Sequence, residues 1–152
     1  TETPMGYNRG TNKMRTNIKI TDAKVLTTIK NHYYNESTEF FADCKRFCNA
    51  LKEGRLISHA KSYGSANDAK YRIKLFEVAK DPYTKKYITL NFNRFFMAMG
   101  YKVNYHCELL TSGGNVDIVY SSICYVLNRL HSLHILNDTE YRNLWGNKAH
   151  EI

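Results

Sequence analysis

Proline occurs only twice, at Pro4 and Pro82, and no apolar run approaches the ~20 residues that a membrane helix requires. No membrane span, internal repeat, low-complexity tract or interdomain linker is therefore expected. The opening stretch TETPMGYNRGTNKMRTN lacks the apolar centre and small-residue cleavage pattern of a secretory signal, so a soluble cytoplasmic protein with no membrane partner is expected.

Several sequence patterns that carry chemistry are also missing. Gly113 and Gly114 lack the lysine and spacing of a phosphate-binding loop and read as a turn before a helix. Glu77 and Lys80 stand as E-x-x-K, whereas a restriction-type nuclease core needs E-x-K, in which alternate strand residues share one face. Glu77 therefore reads as a surface charge. The four cysteines are Cys44, Cys48, Cys107 and Cys124. Cys44 and Cys48 form C-x3-C without the tight C-x2-C knuckle of a zinc site. His106 and the His131-x-x-His134 pair fall on different predicted elements from those two thiols. Buried free thiols, no metal and no cofactor are the expectation.

What is present suits one globular domain. A chain of 152 residues buries roughly 70% of its unfolded surface and needs no disulfide framework to hold a core. Residues 1–20 are polar and aperiodic and read as a flexible basic arm, with residues 21–152 as the single folded domain. Thr21 and Asp22 open a helix bearing Val25, Leu26, Ile29 and Tyr33 on one face. A second helix follows residues 35–37, with Phe40, Phe41, Cys44, Phe47, Cys48 and Leu51 at helical spacing and Gly54 as its stop. Residues 55–69 read as a loop with a short strand at 55–57. Two β-rich runs flank Asp81-Pro82, which predicts a hairpin of about residues 70–91. A short helix over 91–99 closes at Gly100, and alternation in YKVNYHCELL predicts a strand of about residues 101–109. The longest amphipathic helix spans 116–134, and a last helix is capped by Asn137 with Glu140 reciprocating. The sum is an α+β fold, a small antiparallel sheet packed against four to five helices.

Charge is unevenly distributed along this plan. The net +8 resolves into +3 over residues 1–20, −2 over 21–44, +9 over 45–102 and −2 over 103–152. An asymmetry of this size points to a polyanionic partner, DNA or RNA. Lys61, Lys70, Arg72, Lys74, Lys80, Lys85 and Lys86, with Tyr83 among them, are the candidate contacts. A two-stranded ribbon carrying them is narrow enough for a major groove, and Arg9, Lys13 and Arg15 of the arm would add contacts by folding on binding. Because lysine carries little base-reading geometry, binding should be largely electrostatic.

The leading expectation is thus a non-enzymatic, nucleic-acid-binding accessory or regulatory protein. Its lysine-, asparagine-, tyrosine- and isoleucine-rich composition is of the kind that AT-rich genomes of many phages and some bacteria produce, and a phage or viral origin is expected. One competing class is a metal-independent nuclease in which His59 and His106 exchange protons with the nucleophile and leaving oxygen while Lys61 stabilises charge, although the H-x-S/T pattern of two-histidine phosphoesterases is absent. Another is an inhibitor that binds a host protein, or a homodimer formed through the 116–134 helix.

Overall fold

The computed structural model describes residues 15, 18–34, 36–65, 70–78, 87–101, 109–112 and 117–151. Five helices and five strands occur among them, in an α+β arrangement that agrees with the expected class.

Helix α1 (Ala23–His32) starts where the Asp22 carboxylate accepts hydrogen bonds from the backbone N–H groups of Lys24 and Val25. These are donors that an uncapped first turn leaves orphaned. The same carboxylate accepts from Arg129 at 3.0 Å, so the cap also fixes α1 against a distant helix. The Val25 backbone hydrogen bond, then Arg129, hold the Asp22 carboxyl below its ordinary range. Asp22→Ala is expected to cost about 1 kcal/mol in denaturant unfolding near neutral pH. A group with a depressed folded pKa stabilises above its unfolded value, near 4, and loses that contribution as pH falls through the folded value. The Asp22→Ala deficit should therefore shrink on acidification below about pH 4.

Helix α2 (Glu36–Lys52) buries the predicted stripe, Phe40, Phe41, Cys44, Phe47, Cys48 and Leu51. Burial pushes the Cys44 and Cys48 thiols up, which keeps them protonated and inert. Gly54 turns the chain at φ 71°, a left-handed conformation open to glycine at little cost. Helix α3 (Asn93–Ala98) sends Phe95 and Phe96 against Phe47, with ring centroids 5.3 and 5.8 Å away, and Phe92 joins the same aromatic cluster. Helix α4 (Asp117–Ser132) turns Val119, Ile123, Val126, Leu127 and Leu130 into this core, so its apolar stripe faces the protein's own interior. Helix α5 (Asp138–Leu144) carries the predicted capping box between Asn137 and Glu140. Ile18 and Ile20, the last apolar residues of the expected arm, also pack on the core.

The sheet differs from expectation in three places. Strand β1 (Leu56–Tyr63) runs eight residues where a loop with a three-residue strand was expected. Only Leu56, Ile57 and Ser58 of it are buried, so the rest has no apolar alternation to betray it; pairing with β2 (Lys70–Val78) holds it. Strand β3 (Tyr87–Asn91) completes the predicted hairpin, whose tip, 79–86, lies outside the described residues. Strand β4 occupies Leu109–Ser112, so Thr111 and Ser112, past the end of the predicted strand, pair with Tyr71 and Lys70; positions 102–108 of the predicted strand lie outside the described residues. Finally, β5 (His150–Glu151) pairs in parallel with Ile57 and Ser58, which makes the sheet mixed.

Strand β2 is consequently internal. Along one edge it pairs with β1 over its first eight residues. Along the other, β4 takes residues 70–73, and β3 joins at Phe76 and Val78.

Candidate functional site: the outer face of the sheet

Side chains alternate across a strand, and directly opposed residues of an antiparallel pair share a face. In the β1–β2 register Leu56, Ser58 and Ala60 lie opposite Glu77, Leu75 and Ile73, and Leu56, Ile73 and Leu75 belong to the core. This is the inner face, against the helices. The outer face is set by the remaining partners: Ile57 with Phe76, His59 with Lys74, Lys61 with Arg72, and Tyr63 with Lys70.

The outer face changes character along its length. At one end Ile57 and Val78 are fully buried; beyond them come His59, Lys61 and Arg72, all exposed, with Lys74 half-buried. Four of the predicted binding positions, Lys61, Lys70, Arg72 and Lys74, thus share one face, within roughly 14 Å along β2 at ~3.4 Å per residue. Among the described residues no carboxylate pairs with Lys61, Arg72 or Lys74. Glu77, the described carboxylate nearest in sequence to Lys74, is engaged elsewhere. Glu77 is turned to the inner face, only 7% exposed, and lies 3.3 Å from Arg55 Nη1. Its expected place as a surface charge is thereby corrected: a buried carboxylate needs a cation, and Arg55, also paired with Glu53, supplies one.

Two physical points bear on why these cations are there. Lysine on an exposed edge strand commonly guards against edge-to-edge pairing, and that explanation covers Lys61 on β1. It does not cover Lys70 and Arg72, which have paired neighbours on both edges; Lys74 lies between the β4 and β3 pairings. Lys61 and Arg72 are moreover direct cross-strand partners of like charge, an arrangement that costs a sheet about 0.2–1 kcal/mol relative to a neutral pair. Local choices that work against the fold concentrate at functional surfaces.

One further contact organises the face. The Arg72 guanidinium lies over the Tyr63 ring, 4.5 Å from its centroid, a cation–π geometry between diagonal neighbours on the two strands. Tyr63 was not among the predicted site residues. The strand alternation that would have placed it beside Arg72 was hidden because 55–69 reads as a loop.

The other expected site residues fall as follows. Arg15 is exposed and its backbone N–H donates to the Ile135 carbonyl at 3.2 Å, whereas Arg9 and Lys13 lie outside the described residues. So do Lys80, Tyr83, Lys85 and Lys86. The ribbon expected to enter a major groove is corrected over residues 70–78, since a strand flanked on both sides cannot project as half of a two-stranded ribbon. His59 and Lys61 sit on a strand instead of a loop, and His106, the proposed second histidine, lies outside the described residues. His131 and His134 do not converge: His131 Nε2 lies 2.7 Å from Asp138 Oδ1 and its ring stacks on Tyr141, while His134 adopts φ 62° in the turn after α4. Among the described residues no group of three or more His, Cys, Asp or Glu side chains could hold a metal ion, and no helix is long and apolar enough to cross a membrane.

A second polar cluster, which the sequence reading did not single out, lies inside the protein. Asp43 of α2, 2% exposed, accepts at Oδ2 from Tyr33 Oη and Arg94 Nε, both at 2.9 Å. Arg94 also donates to Glu39 at 2.7 Å and lies 4.4 Å from the centroid of the Tyr33 ring. Burial first, then Asp43, push the Tyr33 hydroxyl far above its ordinary range, so it stays a donor. The cluster ties α2 and α3 to the end of α1 and reads as a clamp within the fold.

No family model matches this chain, and neither a curated protein nor a solved structure does.

Proposed function

We propose that the protein binds nucleic acid through the phosphate backbone, using the outer face of its sheet. The observation that carries this reading is the register that sets Lys61, Arg72 and Lys74, with the Lys70 position, on one face without an acidic partner among the described residues. Three strands are side by side there, because Leu110 of β4 lies opposite Arg72 on the edge away from Lys61. The surface is therefore broad and shallow, suited to a backbone lying across it. Cations so placed neutralise phosphates and release condensed counterions, a sequence-independent source of affinity. Lysine donates without accepting, so Lys61 and Lys74 suit positioning contacts more than base readout.

The test is a salt titration. Anisotropy of a labelled mixed-sequence oligonucleotide with the intact protein should give log K falling linearly with log salt concentration, with a slope of about −2 to −4 for three to four contacts. Affinity at low salt no better than that of a neutral control protein ends the reading.

A further inference from the structure

We infer that the polynucleotide bound on this face is single-stranded, with Arg72 and Tyr63 forming a stacking platform for an unpaired base. The inference rests on the backbone-binding reading above and specifies the ligand for the same site.

Electrostatics alone does not choose between a duplex and a single strand; the planar groups at the centre of the face do. The Tyr63 ring is half-buried and holds the Arg72 guanidinium over itself at 4.5 Å. A guanidinium held over a ring in this way loses little freedom on binding, and Arg72 is exposed, so a base can reach it. Arginine planes stack on bases as well as pairing with phosphates. Lys61 lies opposite Arg72 across the strands, and Lys74 follows two residues along β2, so cations flank the platform on two sides. A single strand crossing such a face can set phosphates on the lysines and a base on the plane between them. This combination of basic groove and sequence-tolerant stacking is how unpaired strands are commonly held.

A duplex would use less of what is there. Its bases are stacked internally, so it would meet the lysines and leave the Arg72–Tyr63 plane idle. Reaching base edges instead would need an element narrow enough for the major groove, and the face is three strands wide at Arg72.

The experiment compares four probes against the intact protein at one salt concentration: a mixed-sequence single-stranded DNA, the RNA of the same sequence, the matched DNA duplex, and heparin, which carries negative charge but no base. Single strands are expected to bind about tenfold more tightly than the duplex at equal phosphate number. The two single-stranded arms tell whether DNA or RNA is preferred, through the 2′-hydroxyl. Arg72→Lys keeps the charge and removes the plane, so its loss of affinity for single strands should exceed its loss for duplex and heparin by about tenfold. Tyr63→Leu, which removes the support under the guanidinium, should act in the same direction, and thermal melting of both variants checks that the sheet is intact. Equal affinity for single strand, duplex and heparin overturns the inference while leaving backbone binding in place, as does an Arg72→Lys protein that binds single strands like wild type. Failure of every probe to bind removes both readings.

Discussion

Arg94→Met is expected to destabilise the protein by about 3 kcal/mol, the largest effect of any single substitution outside the apolar core. Arg94 supplies the close cation to Asp43, a carboxylate 2% exposed; without it the remaining donor is the Tyr33 hydroxyl, with Arg46 Nη1 at 3.6 Å from the other oxygen. That other oxygen, Oδ1, has no hydrogen bond of its own, so little is in place to absorb the loss. An uncompensated buried charge costs several kcal/mol, and the lower end applies because the Arg94 side chain is 34% exposed and water can follow it in. Asp43→Asn should cost less, about 1–2 kcal/mol, since no charge is left buried and Arg94 keeps Glu39. The double variant is expected to be more stable than Arg94→Met alone, a coupling that a double-mutant cycle in denaturant reads directly. Strict additivity, or a cost below about 1 kcal/mol for Arg94→Met, would show that the cluster is not a buried charge pair in solution.

Replacing Lys61, Arg72 and Lys74 together with glutamine is expected to weaken polynucleotide binding by about 100-fold near 0.1 M salt. Each single-strand phosphate contact contributes a slope of about 0.7 in log K against log salt, hence roughly fivefold at a tenth-molar concentration, and three such factors multiply to that figure. The fold should not suffer. Lys61 and Arg72 are exposed, none of the three belongs to the core, and relief of the like-charge pair across β1 and β2 offsets the lost Arg72–Tyr63 contact, so stability should change by less than about 1 kcal/mol. Binding lost while stability holds distinguishes a functional surface from a structural one. Loss of both together would mark the three residues as part of the scaffold.

How far the sequence spoke for itself varied with the physics of each element. The helices were legible because their apolar residues recur at helical spacing and their ends carry chemistry: Asp22 and the Asn137–Glu140 box cap as the pattern implied. Strand β1 was not, because its outer half faces solvent on both sides and owes its conformation to β2, a partner that no local pattern names. Missing β1 hid the alternation that gathers Lys61, Arg72 and Lys74, and with it the role of Tyr63. The two-residue β5 leaves no periodic trace at all. The Asp43 clamp did leave one. A carboxylate three residues after Phe40 and four before Phe47 lies in the middle of a buried stripe, and a charge there implies a hidden cation. What the sequence could not say is that the cation is Arg94, 51 residues away.

The central claim is that cations on the outer face of the sheet meet phosphates. Its most direct measurement is the salt dependence of single-strand binding by the wild-type protein beside that of the triple glutamine variant. Three lost phosphate contacts should make the slope of log K against log salt shallower by about 2. Parallel lines of equal slope, whatever their intercepts, would contradict the account, because the three residues would then release no counterions and the polyanion would be held elsewhere.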